Sequence, residues 1–217
     1  MGERRIIVGA GGQGRVVLEV WRAQHPDDDF VFLDDNASIH GRHILGARVE
    51  GGVALLARRD GEALLALGDN PLRLQLGAAW SAKGVTFGRA VHPTAIVSPT
   101  AEIGAGSVVF AGAIVNTQAR LGNFVIVNTG VIVEHDCVLE DGVSVSPGAV
   151  MGGRVVIGRG TFVSTGVTLA ARASVGKGTI VGAGAVVVGA VGDDVVAHGA
   201  PARKVRAASR EDFRKVL

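Results

Sequence analysis

The sequence predicts an α/β domain followed by a parallel β-helix, and three observations support this prediction. An aliphatic residue or Met recurs every six positions from Val91 to Val187, a glycine-rich turn follows the first apolar segment, and the 217 residues include 33 glycines but only 4% aromatic residues. Hexapeptide repeats are typical of short strands wound into a parallel β-helix. Such a solenoid stacks small aliphatic side chains and turns at glycines. We place a Rossmann-like α/β domain at residues 1–88 and the solenoid, with a C-terminal cap, at residues 89–217.

The hexapeptide repeat organises the chain. It runs without interruption from Val91 to Val187, and the next position in the series, Asp193, ends it. A period of six fits neither a helix nor an uninterrupted strand, which repeat every 3.6 and every two residues. If the solenoid has three faces, one coil takes about eighteen residues and the run predicts about five coils.

The composition excludes several classes of protein. The formal net charge is +2 and no long basic run occurs, which does not indicate nucleic-acid binding. A single cysteine excludes an internal disulfide bond. The first residues lack the apolar core of a signal peptide, and no apolar run reaches the ~18 residues of a membrane helix. We therefore expect a soluble, cytoplasmic protein.

The N-terminal segment has the order strand, glycine-rich turn and helix. Residues 6–8 form the predicted strand, the turn contains Gly9, Gly11, Gly12, Gln13 and Gly14, and residues 15–21 form the helix. Glycines let a phosphate approach the backbone, and a helix N-terminus offers free N–H groups. The turn matches the dinucleotide pattern GxGxxG, but the ~85 residues before the solenoid hold only half of a dinucleotide fold. We therefore predict a mononucleotide site; the alternative is a tight turn that needs glycine for its backbone angles.

Two further predicted strands end in polar residues. Residues 30–33 lead into Asp34 and Asp35, and residues 63–67 lead towards Asn70 and a helix at 72–82. Ligands bind at the carboxyl ends of strands in open α/β sheets. We therefore expect these three side chains to line the same site as the glycines, although a solvated turn is the alternative for the two acids. Residues 85–87 are predicted to form a last strand before the solenoid.

One histidine lies in the central coils of the solenoid. His135 stands between Glu134 and Asp136, and a neighbouring carboxylate can fix the tautomer of an imidazole. Gly153 follows one coil later, which predicts a gap over the imidazole for a substrate or for the arm of a cofactor. The alternative is a surface histidine at a corner. A zinc site of three histidines is excluded because the central coils hold no other histidine, and Cys137 occupies an inward-facing position.

Six motifs, taken in order and spacing, resemble one known family. They are VGAGGQG at 8–14, FLDD at 32–35, LGDN at 67–70, VNT at 127–129, VEHDC at 133–137 and GAPA at 199–202. The chain resembles the bacterial sugar O-acyltransferases of the sialic acid O-acetyltransferase type. That group includes N-acetyltransferases that act on nucleotide-linked 4-amino-4,6-dideoxysugars, as in bacillosamine and perosamine synthesis.

The resemblance implies a left-handed β-helix, a homotrimer with active sites between subunits, acetyl-CoA as co-substrate and no metal. His135 would be the general base, Asp136 would orient it, and Asn128 would contact the sugar amine. The nucleotide sugar would be held by Gly11, Gly12, Gln13, Gly14, Asp34, Asp35 and Asn70. Acetyl-CoA would lie near Ser144, Gly153, Thr165 and Ala183, with its phosphates near Arg203 and Lys204. The family often has histidine at positions 13 and 144, so Gln13 and Ser144 depart from its pattern.

The function that follows is acetyl-CoA-dependent N-acetylation of the 4-amino group of a UDP-, GDP- or dTDP-linked 4-amino-4,6-dideoxysugar, in polysaccharide biosynthesis. The alternatives are O-acetylation of a sugar such as sialic acid, and a non-catalytic solenoid used for binding or assembly. A backbone N–H near Gly152 or Gly153 is expected to meet the thioester oxygen. At the C-terminus, Ser209 is predicted to cap a helix at 210–217 that covers the open end of the solenoid.

Overall fold

The computed structural model describes residues 2–215. Its N-terminal sheet has five strands: β1 (Arg4–Val8), β2 (Asp29–Leu33), β3 (His43–Ile44), β4 (Ala47–Gly51) and β5 (Glu62–Leu65). Their order in the sheet is β3-β4-β2-β1-β5, and only β3 is antiparallel to its neighbour. The sequence did not predict the β3–β4 hairpin, which extends one edge of the sheet. The predicted strand at 85–87 is reduced to a single bridge between Ala63 and Phe87.

Two helices complete the α/β part. Helix α1 (Gly12–Gln24) begins directly at the glycine turn and buries Val17, Leu18 and Trp21 against the sheet. Helix α2 (Asn70–Ser81) begins after Asp69, whose Oδ1 accepts a hydrogen bond from the Leu72 N–H at 2.9 Å. Such a cap satisfies one of the free N–H groups of the first turn. Short 3₁₀ helices occur at Ala37–Ile39 and Val53–Arg58.

A three-sided parallel β-helix follows. We call its sides face 1, face 2 and face 3, in the order in which the chain visits them. Face 1 contains β6 (Ala90–Val91), β9 (Val108–Val109), β12 (Ile126–Val127), β15 (Ser144–Val145), β18 (Phe162–Val163), β21 (Ile180–Val181), β24 (Val195–His198) and the antiparallel β25 (Arg203–Ala207). Face 2 contains β7 (Ile96–Val97), β10 (Ile114–Val115), β13 (Ile132–Val133), β16 (Val150–Met151), β19 (Thr168–Leu169) and β22 (Val186–Val187). Face 3 contains β8 (Glu102–Ile103), β11 (Arg120–Leu121), β14 (Val138–Leu139), β17 (Val156–Ile157), β20 (Ser174–Val175) and β23 (Ala190–Val191).

The hexapeptide positions form the core of the solenoid, as the repeat predicts. In all but the last coil each pairs with its equivalent eighteen residues on, for example Val115 with Val133, and from Val109 to Val187 these side chains are buried. Burial of one such side chain stabilises the fold by about 1.5–3 kcal/mol. The described chain completes six coils rather than about five, because β23 arrives three residues after β22 and closes the last coil out of period.

The α/β domain packs on face 1 of the solenoid. Ala90, Val108, Phe110 and Ile126 project from that face into the same apolar cluster as α1 and the N-terminal sheet. Because these residues point outward while their strand neighbours point inward, face 1 is apolar on both sides. The packing places the glycine turn of the α/β domain beside the solenoid.

The C-terminal helix does not cover the open end of the solenoid, so that prediction is wrong. Helix α3 (Arg210–Lys215) packs Phe213 against Phe162, Ile180 and Val196, on the outer side of face 1. The end is closed instead by the segment at 199–202, where Ala202 joins the solenoid core. Ser209 stands at the start of α3, as expected, and its hydroxyl donates to Asp212 Oδ2 at 2.7 Å. Residues 216–217 of the predicted helix lie outside the described residues.

Candidate active site

A cleft opens at the carboxyl ends of β1, β2 and β5, where the sequence places the glycines. It measures about 610 Å³, and Gly11 and Gly12 line it at the N-terminus of α1 together with Gly9, Gln13, Asp34, Ala66, Leu67, Gly68, Asp69 and Leu72. A Cβ built on Gly11 or Gly12 would meet no atom within 4 Å, and neither residue has a positive φ. Packing and backbone angles therefore do not explain these two glycines, whereas room for a ligand above the helix N-terminus does.

Of three other residues predicted at this site, Gly14 and Asp35 lie outside the cleft and Asp34 lines it. A Cβ on Gly14 would lie 2.0 Å from the carbonyl oxygen of Gly9, so this glycine permits close packing of α1 on β1 and does not line the cleft. Asp35 also lies outside the cleft, and its Oδ1 accepts a hydrogen bond from the Val53 N–H at 2.8 Å. Asp34 does line the cleft, and its Oδ2 accepts from the Ala10 N–H at 2.8 Å, which holds the glycine turn in place.

A second cavity of about 270 Å³ continues from the first towards the solenoid. Gln13 and Gly68 line both cavities, and on the solenoid side the lining includes Asn128, Ser146 and Thr165. The remaining lining residues are Ile126, Ser144, Val145, Pro147 and Phe162, so no lining side chain is charged. The amide nitrogen Nε2 of Gln13 is buried and has no hydrogen-bond partner among residues 2–215. The structure thus brings Gln13, Asn128 and Thr165 to one place.

Asn70 belongs to a buried network and lines neither cavity, which corrects its predicted position, whereas Ser144 joins the same network and also lines the second cavity. Asn70 is fully buried, and its amide Nδ2 donates to the carbonyl oxygens of Gly160 and Thr161 at 3.2 and 3.0 Å. Its Oδ1 accepts hydrogen bonds from the Ser144 hydroxyl at 2.7 Å and from Arg73 Nη2 at 2.8 Å. All hydrogen-bonding capacity of the Asn70 side chain is used, so it joins α2 to the solenoid.

Arg73 is the centre of this network, and the sequence analysis did not assign it a role. The guanidinium is completely buried and donates to the carbonyl oxygens of Phe124, Leu67 and Gly142 at 3.0, 2.6 and 3.0 Å. Burial lowers the pKa of Arg73 to about 9, because a charge in a low-dielectric interior loses its hydration. A polar residue on the inward side of α2 was the signal in the sequence, but it does not reveal which backbone carbonyls Arg73 binds.

His135 and Asp136 form a pair at a corner of the solenoid, as predicted. His135 Nδ1 lies 2.8 Å from Asp136 Oδ2, and the imidazole is 52% exposed. The hydrogen bond from His135 lowers the pKa of Asp136, so this carboxylate stays charged and fixes the Nδ1–H tautomer. The His135 backbone N–H donates to Glu134 Oε2 at 3.2 Å, and Asn116 Nδ2 donates to Glu134 Oε1 at 3.0 Å. The Nε2 atom is therefore the one left to accept a proton.

Gly153 touches the imidazole itself. A Cβ on Gly153 would lie 2.5 Å from His135 Nε2 and 2.6 Å from Cε1. The expectation of an empty gap over the ring is corrected, because the ring occupies that space. Any larger residue would displace the imidazole from its position beside Asp136. Beneath the pair, Cys137 is buried and its thiol donates to the Gly152 carbonyl at 3.2 Å, and burial raises its pKa.

The remaining predicted residues lie at two different edges of face 2. Asn128, Thr165 and Ala183 occupy turns from face 1 to face 2, whereas His135 and Gly153 occupy turns from face 2 to face 3. The width of face 2 separates the two sets, roughly 20 Å for six residues at ~3.3 Å each. Within one chain, the structure does not bring the glycine cleft and His135 together. Arg203 and Lys204 are exposed on β25 at the end of face 1.

Comparisons with known proteins identify the family. The family described as the PglD N-terminal domain matches residues 5–78. A mutant of perosamine N-acetyltransferase from Caulobacter crescentus, solved with CoA and GDP-perosamine, is 34% identical, with a TM-score of 0.86 over 94% of this chain and 96% of that chain. The acetyltransferase domain of PglB from Neisseria gonorrhoeae, solved with acetyl coenzyme A, is 37% identical, with a TM-score of 0.90 over 94% of this chain and 100% of that chain. The chain belongs to this family of nucleotide-sugar N-acetyltransferases.

WeeI from Acinetobacter baumannii shares the architecture of this acetyltransferase at 27% identity, with a TM-score of 0.84 over 93% of this chain and 99% of that chain. A search of curated proteins found no match. Within residues 2–215 no group of three or more His, Cys, Asp or Glu side chains is placed to hold a metal ion. In the same part of the chain, no helix has the length and apolar character needed to cross a membrane.

Proposed function

We propose that this acetyltransferase transfers the acetyl group of acetyl-CoA to the 4-amino group of a nucleotide-linked 4-amino-4,6-dideoxysugar. The observation that carries the proposal is the His135–Asp136 pair, with a separation of 2.8 Å and a free Nε2. A base of this kind is what an amine needs when it attacks a thioester. Relatives solved with CoA, acetyl coenzyme A and GDP-perosamine support the choice of co-substrate and of acceptor class. Both co-substrates are metabolites of the cytoplasm, where we expect the reaction to occur.

The reaction proceeds by direct attack. The amine nitrogen forms a bond to the thioester carbon, His135 Nε2 accepts the amine proton, and Asp136 stabilises the resulting imidazolium. The carbon–sulfur bond then breaks, and the CoA thiolate takes the proton from His135. The oxyanion needs a donor. The Gly152 N–H is already bonded to the Leu169 carbonyl at 2.8 Å, whereas the Gly153 N–H has no backbone partner among residues 2–215. We assign the oxyanion to the Gly153 N–H.

The two connected cavities fit the acceptor. The diphosphate would bind over Gly11 and Gly12, where the N-terminus of α1 supplies N–H groups and a partial positive charge. Gln13 and Asn128 would then meet the sugar in the second cavity. That cavity has no charged lining residue, and a sialic acid would bury its carboxylate there without a cationic partner. The uncharged lining therefore favours a neutral deoxysugar over O-acetylation of sialic acid.

A homotrimer would complete the site. Face 2 presents one aliphatic side chain per coil to the outside for most of its length, namely Ile96, Ile114, Ile132, Val150 and Val186, with Ile96 66% exposed and Val150 38% exposed. We assign this exposed aliphatic stripe to contact with a second copy of the chain, because a single chain does not bring the glycine cleft and His135 together. Around a threefold axis, His135 of one subunit would face Asn128, Thr165 and Ala183 of the next. Acetyl-CoA would lie in that interface past Gly153, with its phosphates near Arg203 and Lys204.

Free-thiol release from acetyl-CoA tests the proposal with a panel of UDP-, GDP- and dTDP-linked 4-amino sugars. We expect turnover with at least one of them, and a decrease in kcat of about 10²–10⁴-fold for His135→Ala, with the oligomer intact by light scattering. His92→Ala, at the first corner of the solenoid, is the matched control and should retain wild-type turnover. Absence of turnover across the panel, together with no thermal stabilisation by CoA or by nucleoside diphosphates, would favour the non-catalytic solenoid.

A further inference from the structure

The three corners of the solenoid differ at the residue that adopts a left-handed backbone conformation. At the other two corners this residue is glycine in all but two coils, which have Phe124 and Asp194; the glycines are Gly106, Gly112, Gly130, Gly142, Gly148, Gly160, Gly166, Gly178 and Gly184. At the corner of His135 the equivalent residues are Gln118, Asp136, Arg154 and Arg172, with φ between 57° and 64°. Residues with a side chain are strained in this conformation, and such strain is concentrated at functional sites. The non-glycine residues at the corner of His135 are therefore candidates for a functional role.

Two of these side chains meet at the predicted base. Arg154 stands one coil above Asp136, and its Nε lies 3.5 Å from Asp136 Oδ2. The same oxygen lies 2.8 Å from His135 Nδ1. The backbone of Arg154 is also bonded to this pair, because its N–H donates to the His135 carbonyl oxygen at 2.9 Å. Asp136 is thus placed between a guanidinium and an imidazole.

We propose that Arg154 is a positioning residue for the acetyl transfer, which holds the Asp136 carboxylate against His135 Nδ1 and so keeps Nε2 free to accept the proton. This inference rests on the proposed function for what the base does. A second cation beside the carboxylate limits rotation of Asp136 away from the ring.

Few other charged groups face the pair. Glu134 is turned to the His135 backbone N–H and to Asn116, and the buried Cys137 thiol, whose pKa is raised, donates to a carbonyl. In the coil below, Gln118 is uncharged, and in the coil above, Gly153 has no side chain. Arg154 is therefore the cation that the described structure pairs with Asp136. At 57% exposure its effect is limited by solvent.

Histidine ring ¹⁵N chemical shifts, which report the tautomer without substrate, test this inference. The variant is Arg154→Gln, since Gln118 tolerates the same backbone conformation at the same corner, and His135→Asn assigns the signal. We expect the ratio of Nδ1–H to Nε2–H tautomer in His135 to fall about two- to fivefold. Arg154→Lys should restore most of it. Arg172→Gln, the matched control with the same φ one coil further on, should leave the ratio unchanged.

Kinetics supply a second readout. In Arg154→Gln, kcat should fall by about the same two- to fivefold as the tautomer ratio, while KM for both co-substrates stays unchanged. In Arg172→Gln, kcat and both KM values should stay unchanged. An unchanged tautomer ratio in Arg154→Gln, or an equal change in Arg172→Gln, would overturn the inference even in an active enzyme. A tautomer shift in a protein that acetylates no sugar would instead retain the inference for the pair and reject the proposed function.

Discussion

Gly153→Ala is the sharpest single test of the predicted base. The added Cβ would lie 2.5 Å from His135 Nε2, whereas ordinary van der Waals contact begins at 3.4 Å. The imidazole must therefore retreat by about 0.9 Å, and half of its surface faces solvent, so it has somewhere to go. A misplacement of about 1 Å at a reacting group costs about 10²-fold in rate. We expect kcat to fall by about that factor while the melting temperature changes little.

The assay is thiol release at saturating acetyl-CoA, with the melting temperature measured in parallel. Gly189→Ala is the control: Gly189 lies in the last turn from face 2 to face 3, at the same edge of the solenoid, and a Cβ there would meet nothing within 4 Å. Ala171, one coil after Gly153, already carries a Cβ. If Gly153→Ala retained wild-type kcat while His135→Ala were inactive, the imidazole would not work from the position described here.

Four further predictions follow from the same structure. Gly12→Val should raise KM for the nucleotide sugar at least tenfold and leave KM for acetyl-CoA unchanged, because a side chain at Gly12 would enter the open cleft. Gly14→Ala should mainly lower the free energy of unfolding, because a Cβ there would collide with the backbone of Gly9. Asn70→Ala should lower the free energy of unfolding in urea by about 3 kcal/mol, since it leaves several buried groups without partners; a loss below ~1 kcal/mol would contradict the network. If the proposed trimer forms through face 2, Ile132→Glu should dissociate it and abolish turnover, while Val138→Glu, also half-buried but on face 3, should do neither, as measured by light scattering and thiol release. Hydrogen bonds from Arg206 and Ser209 lower the pKa of Asp212, so the stabilisation of α3 is present above about pH 4 and is lost as the pH falls further; the hydrogen-exchange protection factors of residues 210–215 should decrease as the pH is lowered from about 4 towards 2.

The periodic part of the fold could be predicted because each coil repeats the same local rule. An inward aliphatic residue every six positions specifies strand, corner and register together, and Val115 pairs with Val133 as that rule requires. The β3–β4 hairpin and the path of the C-terminus could not be predicted in this way. Their positions depend on non-local contacts, such as Phe213 against Phe162, for which the sequence has no period.

Part of the candidate site could be predicted because it, too, consists of local sequence features. Glycines at 11 and 12, and His135 beside Asp136, are local features, and the structure places the glycines in a cleft and the imidazole against the carboxylate. Asn70 was misinterpreted because a polar residue at a strand end can serve either a ligand or a neighbouring domain, and only burial distinguishes the two. Arg154 was missed because residues eighteen apart become neighbours only when the coils stack.

The buried guanidinium of Arg73 limits how the two domains of this protein can be recombined with others. Its donors reach a carbonyl oxygen in the loop after β5 and carbonyl oxygens in two turns of the solenoid, so the solenoid supplies acceptors that the α/β domain requires. A chimaera that joined this α/β domain to a foreign solenoid would leave a buried charge without part of its acceptors unless those two turns were transplanted with it. Point substitution at the proposed acceptor residues Gln13 and Asn128 avoids this cost, whereas exchange of whole domains does not.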